Sequence, residues 1–174
     1  MTAQRFFAEL TGSENDLKLA AEALSASGNP FCVIGGLAVN HYVEPVVTLD
    51  ADFAVSASAG VADALKARGF IVEEHPHSLN ATLKGSRLRV QITINDRYGS
   101  FPDRALPAEI FGVDQRVAAL PDVVQGKLWA LADSKRRPSK KLKDKADLVR
   151  ICESHRDMIA RIPAGLIPEV DAMR

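Results

Sequence analysis

Apolar positions change their period several times along the chain, and each change marks an element. Leu17, Ala20, Ala21 and Leu24 recur at helical spacing. Ser13 is the expected N-cap, with acidic residues in the first turn, and Gly28-Asn29-Pro30 stops the helix. A short apolar run, Phe31 to Ile34, ends at Gly35-Gly36 and reads as a strand entering a brief helical segment. The next apolar run alternates strictly. Leu49, Ala51, Phe53 and Val55 point into a core, while Asp50 and Asp52 project together on the other face. After a polar turn, Val61, Ala64 and Leu65 mark a helix closed by Gly69, and Phe70 to Val72 a short strand.

Residues 75–78 read as a loop, and Thr82 to Leu88 as a hairpin turning at Gly85-Ser86. On the returning strand Leu88, Val90, Ile92 and Ile94 face the core, with Arg89, Gln91 and Thr93 opposite. Residues 95–120 are irregular, broken by Gly99, Pro102, Pro107 and Gly112, with one short strand expected around Arg116 to Ala119. Leu120-Pro121-Asp122 opens a helix whose apolar side is Val124, Leu128 and Leu131, leaving Lys127 on a flank. Leu142, Ala146, Leu148, Val149, Ile151 and Cys152 give a last helix a broad apolar face. Pro163 and Pro168 mark a tail expected to pack loosely.

The elements predict an α/β fold: a small mixed sheet with flanking helices over residues 1–120, and a helical portion over 121–174 packed with it as one unit. At 174 residues, 47% apolar and 25% charged, the chain is long enough for one ordinary core. Formal net charge is zero, so attraction to nucleic acid or membrane has to be local. No apolar run approaches a membrane span, and the first residues lack a signal-peptide core, so a cytoplasmic protein is expected. Cys32 and Cys152 fit buried thiols better than a disulfide or metal site. His75 and His77 lack a third ligand at recognisable spacing and read as loop residues.

The chemistry concentrates between Phe31 and Val55. Taken singly, an Asp-x-Asp pair arises by chance and Gly-Gly is often a tight turn. Together they are more specific. Gly35-Gly36 opening a helix after a strand leaves backbone N–H groups and a positive helix end free for a phosphate. Asp50 and Asp52 repel each other, which a divalent cation would relieve. Neither the Gly-x-x-x-x-Gly-Lys-Ser/Thr loop nor Gly-x-Gly-x-x-Gly is present.

Strand, Gly35-Gly36, short helix and Asp50-Ala51-Asp52 resemble the motif of nucleotidyltransferases of the DNA-polymerase-beta superfamily. The segment from Gln125 to Leu148, with Lys127, Asp144 and Asp147, resembles the abortive-infection branch, which includes toxins of toxin–antitoxin pairs. The resemblance implies an enzyme transferring a nucleoside monophosphate from a nucleoside triphosphate to an acceptor hydroxyl, on RNA, a protein or a small molecule. It implies Mg²⁺ on Asp50 and Asp52, catalytic roles for Lys127 and Asp144, and an antitoxin-like protein partner. Gly35, Gly36, Thr48, Gln91 and Lys127 are the candidate nucleotide-binding residues.

On the residues alone, Lys127 is a surface lysine, and Asp144 with Lys140 and Lys143 with Asp147 are solvated helix pairs. The seven Lys and Arg between Lys135 and Lys145 form either an exposed linker or a patch attracting triphosphate or RNA. One departure stands out: Gln91 occupies the position where many superfamily members carry a third carboxylate, and Asp96 lies beyond that strand's end. Two alternatives follow, a catalytically silent nucleotide- or partner-binding protein and an RNA-binding module built on the basic run.

Overall fold

The computed structural model describes Arg5, Ala8, Glu9, Thr11, Gly12 and residues 15–174. Helix α1 (Asp16–Ala26) precedes β1 (Phe31–Ile34), α2 (Gly35–Tyr42), β2 (Asp50–Val55), α3 (Val61–Ala67), β3 (Ile71–His75), β4 (Ser78–Thr82) and β5 (Arg89–Thr93). A single 3₁₀ turn (Asp96–Tyr98) and α4 (Phe101–Arg104) lead to β6 (Leu106–Ile110) and β7 (Val113–Val117). Helices α5 (Leu120–Ala132) and α6 (Pro138–Ser154), a 3₁₀ segment (Arg156–Arg161) and α7 (Pro168–Asp171) complete the chain. The expected N-cap Ser13 lies outside the described residues.

Seven strands form one mixed sheet in the order β3-β4-β5-β2-β1-β7-β6. The β1–β2 pair is antiparallel and opposes Ile34 to Asp52, which brings the end of β1 beside the acidic strand. The β2–β5 pair is parallel and opposes Asp50 to Arg89 and Asp52 to Gln91. Alternation then sorts the two faces. Ala51, Phe53, Val90 and Ile92 bury with Leu17, Leu24, Val61 and Leu65 in one core, and Asp50, Asp52, Gln91 and Thr93 face a cleft.

Four expectations are corrected. Residues 75–78 are not a loop but a tight turn at Pro76-His77 inside a β3–β4 hairpin, pairing His75 with Ser78. Residues 95–120 are not irregular: they hold α4 and the β6–β7 hairpin, which turns at Phe111 (φ 51°) and Gly112 (φ 77°). The tail does not pack loosely, because Ile162, Ile167 and Val170 bury their side chains in the core between its prolines and around them. Leu142 does not join the apolar face of α6, being 68% exposed, whereas Leu148, Ile151 and Cys152 are buried as expected. Both cysteines are free, and burial, reinforced by the charge of Asp122, pushes the Cys32 thiol up to about 12.

Candidate active site

The site starts at the junction of β1 and α2. Gly35 has φ 65°, the left-handed region that glycine enters without strain. A Cβ there would sit 2.1 Å from Asp52 Oδ2, so the carboxylate fills the space a side chain would need. A Cβ on Gly36 would meet Thr48 Oγ1 at 3.4 Å and Lys143 Nζ at 3.7 Å. The first backbone N–H groups of α2 have no intrahelical acceptor and carry the positive end of its dipole. Asp52 therefore lies against an electropositive helix end that only glycine leaves open.

The two aspartates are in different electrostatic states. Arg89 Nε holds Asp50 Oδ1 at 2.8 Å, and Lys140 Nζ holds Oδ2 at 3.0 Å. Burial alone would raise the Asp50 carboxyl, but the bond and charge of Lys140, with Arg89 and Lys143, overcome it and hold the group below its ordinary value. The Asp52 carboxylate makes no hydrogen bond or contact ion pair with any described side chain, although its backbone sits in the β1–β2–β5 ladder. Burial, and then the negative charge of Asp50, raise its carboxyl against the pull of Lys127, Lys143 and Lys140. Thr48 is buried under Gly36, and its hydroxyl accepts from the Asp50 N–H at 3.2 Å. It shapes the loop that enters β2.

Lys127 is not on a flank. It is 7% exposed, with Nζ 3.0 Å from Asp144 Oδ1 and 2.7 Å from Asp147 Oδ2, the second an ion pair without good hydrogen-bond alignment. Nor are Asp144 and Asp147 solvated partners of Lys140 and Lys143. They are 1% and 2% exposed, and bind Arg136 and Arg150 besides Lys127. The reason is tertiary: α5 and α6 pack on each other and on α2, so the polar stripe of α6 faces protein rather than water. Burial would lower the Lys127 ammonium, but Asp147 and Asp144 outweigh it and raise it.

Three cations thus face two carboxylates in this network, and Lys140 and Lys143 add two more charges beside the aspartate pair. Sequence reasoning named Arg136, Lys140 and Lys143 only as part of a basic run, and Asp147 only within the resembling segment, and gave none of them a place in the site. Their signal was the spacing 140, 143/144, 147, one face of a helix.

The cleft between sheet and helices holds about 640 Å³. Gly35, Gly36, Asp50, Asp52, Gln91, Lys127 and Asp144 all line it; Thr48 does not, and neither does Asp96. Gln91, directly opposite Asp52, is an exposed carboxamide. Among the described residues no group of three His, Cys, Asp or Glu side chains is placed to hold a metal ion. The donor set is therefore the Asp50–Asp52 pair. It suits Mg²⁺, which is commonly held by one or two carboxylates and completed by phosphate oxygens. The Asp52 carboxylate, with no side-chain partner among the described residues, has its oxygens open to such an ion.

This arrangement is the nucleotidyltransferase α/β fold, and solved structures of that class superimpose on it. A Helicobacter pylori protein assigned as a nucleotidyltransferase aligns with TM-score 0.56 at 16% identity, over 92% of this chain and 76% of its own. The antibiotic-resistance factor ANT(2'')-Ia aligns with TM-score 0.54 at 15% identity, over 90% and 88%. The lincosamide antibiotic adenylyltransferase LnuA, in its lincomycin-bound form, aligns with TM-score 0.51 at 13% identity, over 78% and 95%. No family model and no curated protein sequence matches the chain.

Proposed function

We propose that the chain is a Mg²⁺-dependent nucleotidyltransferase that moves a nucleoside monophosphate from a nucleoside triphosphate to an acceptor hydroxyl. The observation carrying this reading is Asp52: a carboxylate raised by burial and by Asp50, unpaired, and set against the glycine-opened end of α2. A fold keeps such a group at a cost in stability, and metal–nucleotide binding is what repays it.

The α2 N–H groups and the Lys140–Lys143 side of α6 would bind the triphosphate, and Lys127, with Arg136, would hold charge beside it. Asp50 and Asp52 would hold Mg²⁺, which when bound offsets charge on the phosphate oxygens. The acceptor oxygen attacks the α-phosphorus, the bond to the β-phosphate oxygen breaks, and pyrophosphate leaves. The acceptor proton passes to water, because Gln91 takes none at neutral pH. Asp144 acts through Lys127 and Arg136 rather than on substrate. The resemblance extends the proposal to a cytoplasmic setting and an antitoxin-like partner. No helix among the described residues is long and apolar enough to cross a membrane.

Gln91 supports a second reading, a nucleotide-binding protein without turnover. The RNA-binding module has less support. Of the basic run, Arg136, Lys140 and Lys143 line the cleft and Lys145 pairs with Glu169 at 3.0 Å. Incubation with α-labelled triphosphates, Mg²⁺ and total RNA, protein and small-molecule fractions separates these. Label transfer with pyrophosphate release, lost in Asp50→Asn, is expected. Nucleotide binding without pyrophosphate supports the silent reading, and transfer surviving Asp50→Asn excludes the assignment of the carboxylates.

A further inference from the structure

Helix α6 meets the strand that carries Asp50 across the cleft. Lys140 stands in the first turn of α6, and its ammonium donates to Asp50 Oδ2 at 3.0 Å, between residues 90 apart in sequence. No acidic residue stands in that turn. A cation there works against the positive end of the helix dipole, so helix preference does not account for the lysine. Among the described residues, no other hydrogen bond or ion pair joins α6 to a strand.

Both oxygens of Asp50 are taken. Arg89 Nε lies 2.8 Å from Oδ1 and Lys140 Nζ 3.0 Å from Oδ2. A hard divalent cation ligates through those same carboxylate oxygens, and an ammonium sharing one with it is repelled at short range. The fit of the aspartate pair to Mg²⁺ therefore has a condition. One cation has to leave Asp50 first.

Which one leaves follows from how each is held. Arg89 sits on β5 directly opposite Asp50 in the β2–β5 register, so its backbone is fixed beside the carboxylate. Lys140 reaches in from another element on a flexible four-carbon stem, and its compact charge can be re-aimed. One turn further along α6, Lys143 Nζ lies 3.7 Å from where a Cβ on Gly36 would stand, at the start of α2. Side chains three apart on a helix are neighbours. Lys140 is thus within one helical turn of the phosphate seat assigned to α2.

We propose that Lys140 is a placeholder cation: it closes Asp50 before nucleotide binds and passes to the triphosphate as nucleotide enters, so that the divalent ion is admitted with nucleotide rather than alone. The inference rests on the nucleotidyltransferase reading. Arg89, Lys140 and Lys143 outnumber Asp50 and Asp52 along the cleft, so a divalent ion by itself meets a surplus of positive charge. A triphosphate brings more negative charge than the ion brings positive, and it offers Lys140 a second partner. Each ligand then raises the affinity for the other by the same factor. Until both arrive, Asp50 is not left as an unpaired charge beside Asp52.

The test separates metal from nucleotide. Mn²⁺, followed as the free ion by electron paramagnetic resonance, is titrated into the full chain without nucleotide. A non-hydrolysable triphosphate is titrated by calorimetry in saturating Mg²⁺. Wild type, Lys140→Met and Lys143→Met are compared, with melting temperatures recorded for each. In Lys140→Met the affinity for Mn²⁺ alone is expected to rise at least about tenfold, while that for Mg²⁺–nucleotide falls about 5- to 10-fold with the lost phosphate contact. Lys143→Met removes the same charge without a bond to Asp50, and screening should hold its gain in Mn²⁺ affinity to at most about threefold. A merely structural lysine would not improve metal binding when removed. Lys140→Gln takes the place of the methionine variant if that chain does not fold.

An unchanged or lower Mn²⁺ affinity in the Lys140 variant, an equal gain in Lys143→Met, or an unchanged nucleotide affinity would overturn the proposal while the parent reading stands. Absence of Mg²⁺–nucleotide binding by wild type would remove the parent reading and this one together.

Discussion

Gly35 and Asp52 constrain each other. The glycine supplies a backbone angle that costs an L-residue roughly 1–2 kcal/mol, and the space its missing Cβ leaves holds the carboxylate. Gly35→Ala is expected to lower the melting temperature and weaken Mg²⁺–nucleotide affinity at least about tenfold, or about 1.4 kcal/mol. Calorimetry on the purified variant checks both. The two aspartates should respond oppositely to neutralisation. Asp50 is held below its ordinary value, so its stabilising contribution is present at neutral pH and is lost as pH falls through its folded value. Asp52 is raised, so its contribution is complete below the unfolded value and is lost as pH rises through the folded one. At pH 7 without metal, Asp52→Asn should therefore raise the melting temperature, and Asp50→Asn should lower it by stranding Arg89 and Lys140. Thermal melts of the two variants, compared at pH 7 and at acid pH where the differences shrink, decide it.

Helices α5 and α6 act as one electrostatic unit. Lys127, Asp144 and Asp147 are buried together, and removing one partner of such a set typically costs about 3–5 kcal/mol. Lys127→Met should then lower the melting temperature by about 10 °C in a chain of this size. A loss of activity in that variant would mix catalysis with stability, which Lys143→Met, at the rim of the cleft, would not. How much of this was legible divides by element. Period alone gave β1, α2, β2 and β5, and with them Gly35-Gly36, the aspartate pair and the position of Gln91, because one face of each strand is buried and alternation follows burial. It did not give β6, and of β7 (Val113–Val117) it gave only the end, through the short strand expected around Arg116 to Ala119. That hairpin is an edge whose residues Glu109, Asp114 and Arg116 obscure alternation, and it turns at Phe111-Gly112 without the usual Asn-Gly signal. Nor did it place Lys127. A lysine beside an apolar stripe looks solvated until a second helix covers it, and packing between helices is not written in the period of either.

For the whole molecule, zero net charge conceals segregation: Lys127, Lys140 and Lys143 at the α2–α6 end of the cleft, and uncharged Ser78, Asn80, Gln91 and Thr93 across β4 and β5, where Arg89 is held by Asp50. The α2–α6 end has the charge to bind a triphosphate, and β5 lacks a base. Gln91→Glu restores a carboxylate opposite Asp52 on the same face. It is expected to raise the transfer rate at least about tenfold, the lower part of what a positioned base supplies. Pyrophosphate release measured with the acceptor saturating would show it, and an unchanged rate would mean that proton removal does not limit the reaction. Saturating Mg²⁺–nucleotide, at about 100 times its Kd, should stabilise the fold by about 2.7 kcal/mol, read as a rise of roughly 5–10 °C in melting temperature. The most direct measurement of the central claim is calorimetric titration of a non-hydrolysable triphosphate into the wild-type chain and Asp52→Asn, each with Mg²⁺ and with a chelator. The account predicts binding by the wild-type chain that needs Mg²⁺ and is at least about tenfold weaker in Asp52→Asn. Equal binding in the chelator, or in the variant, would contradict it.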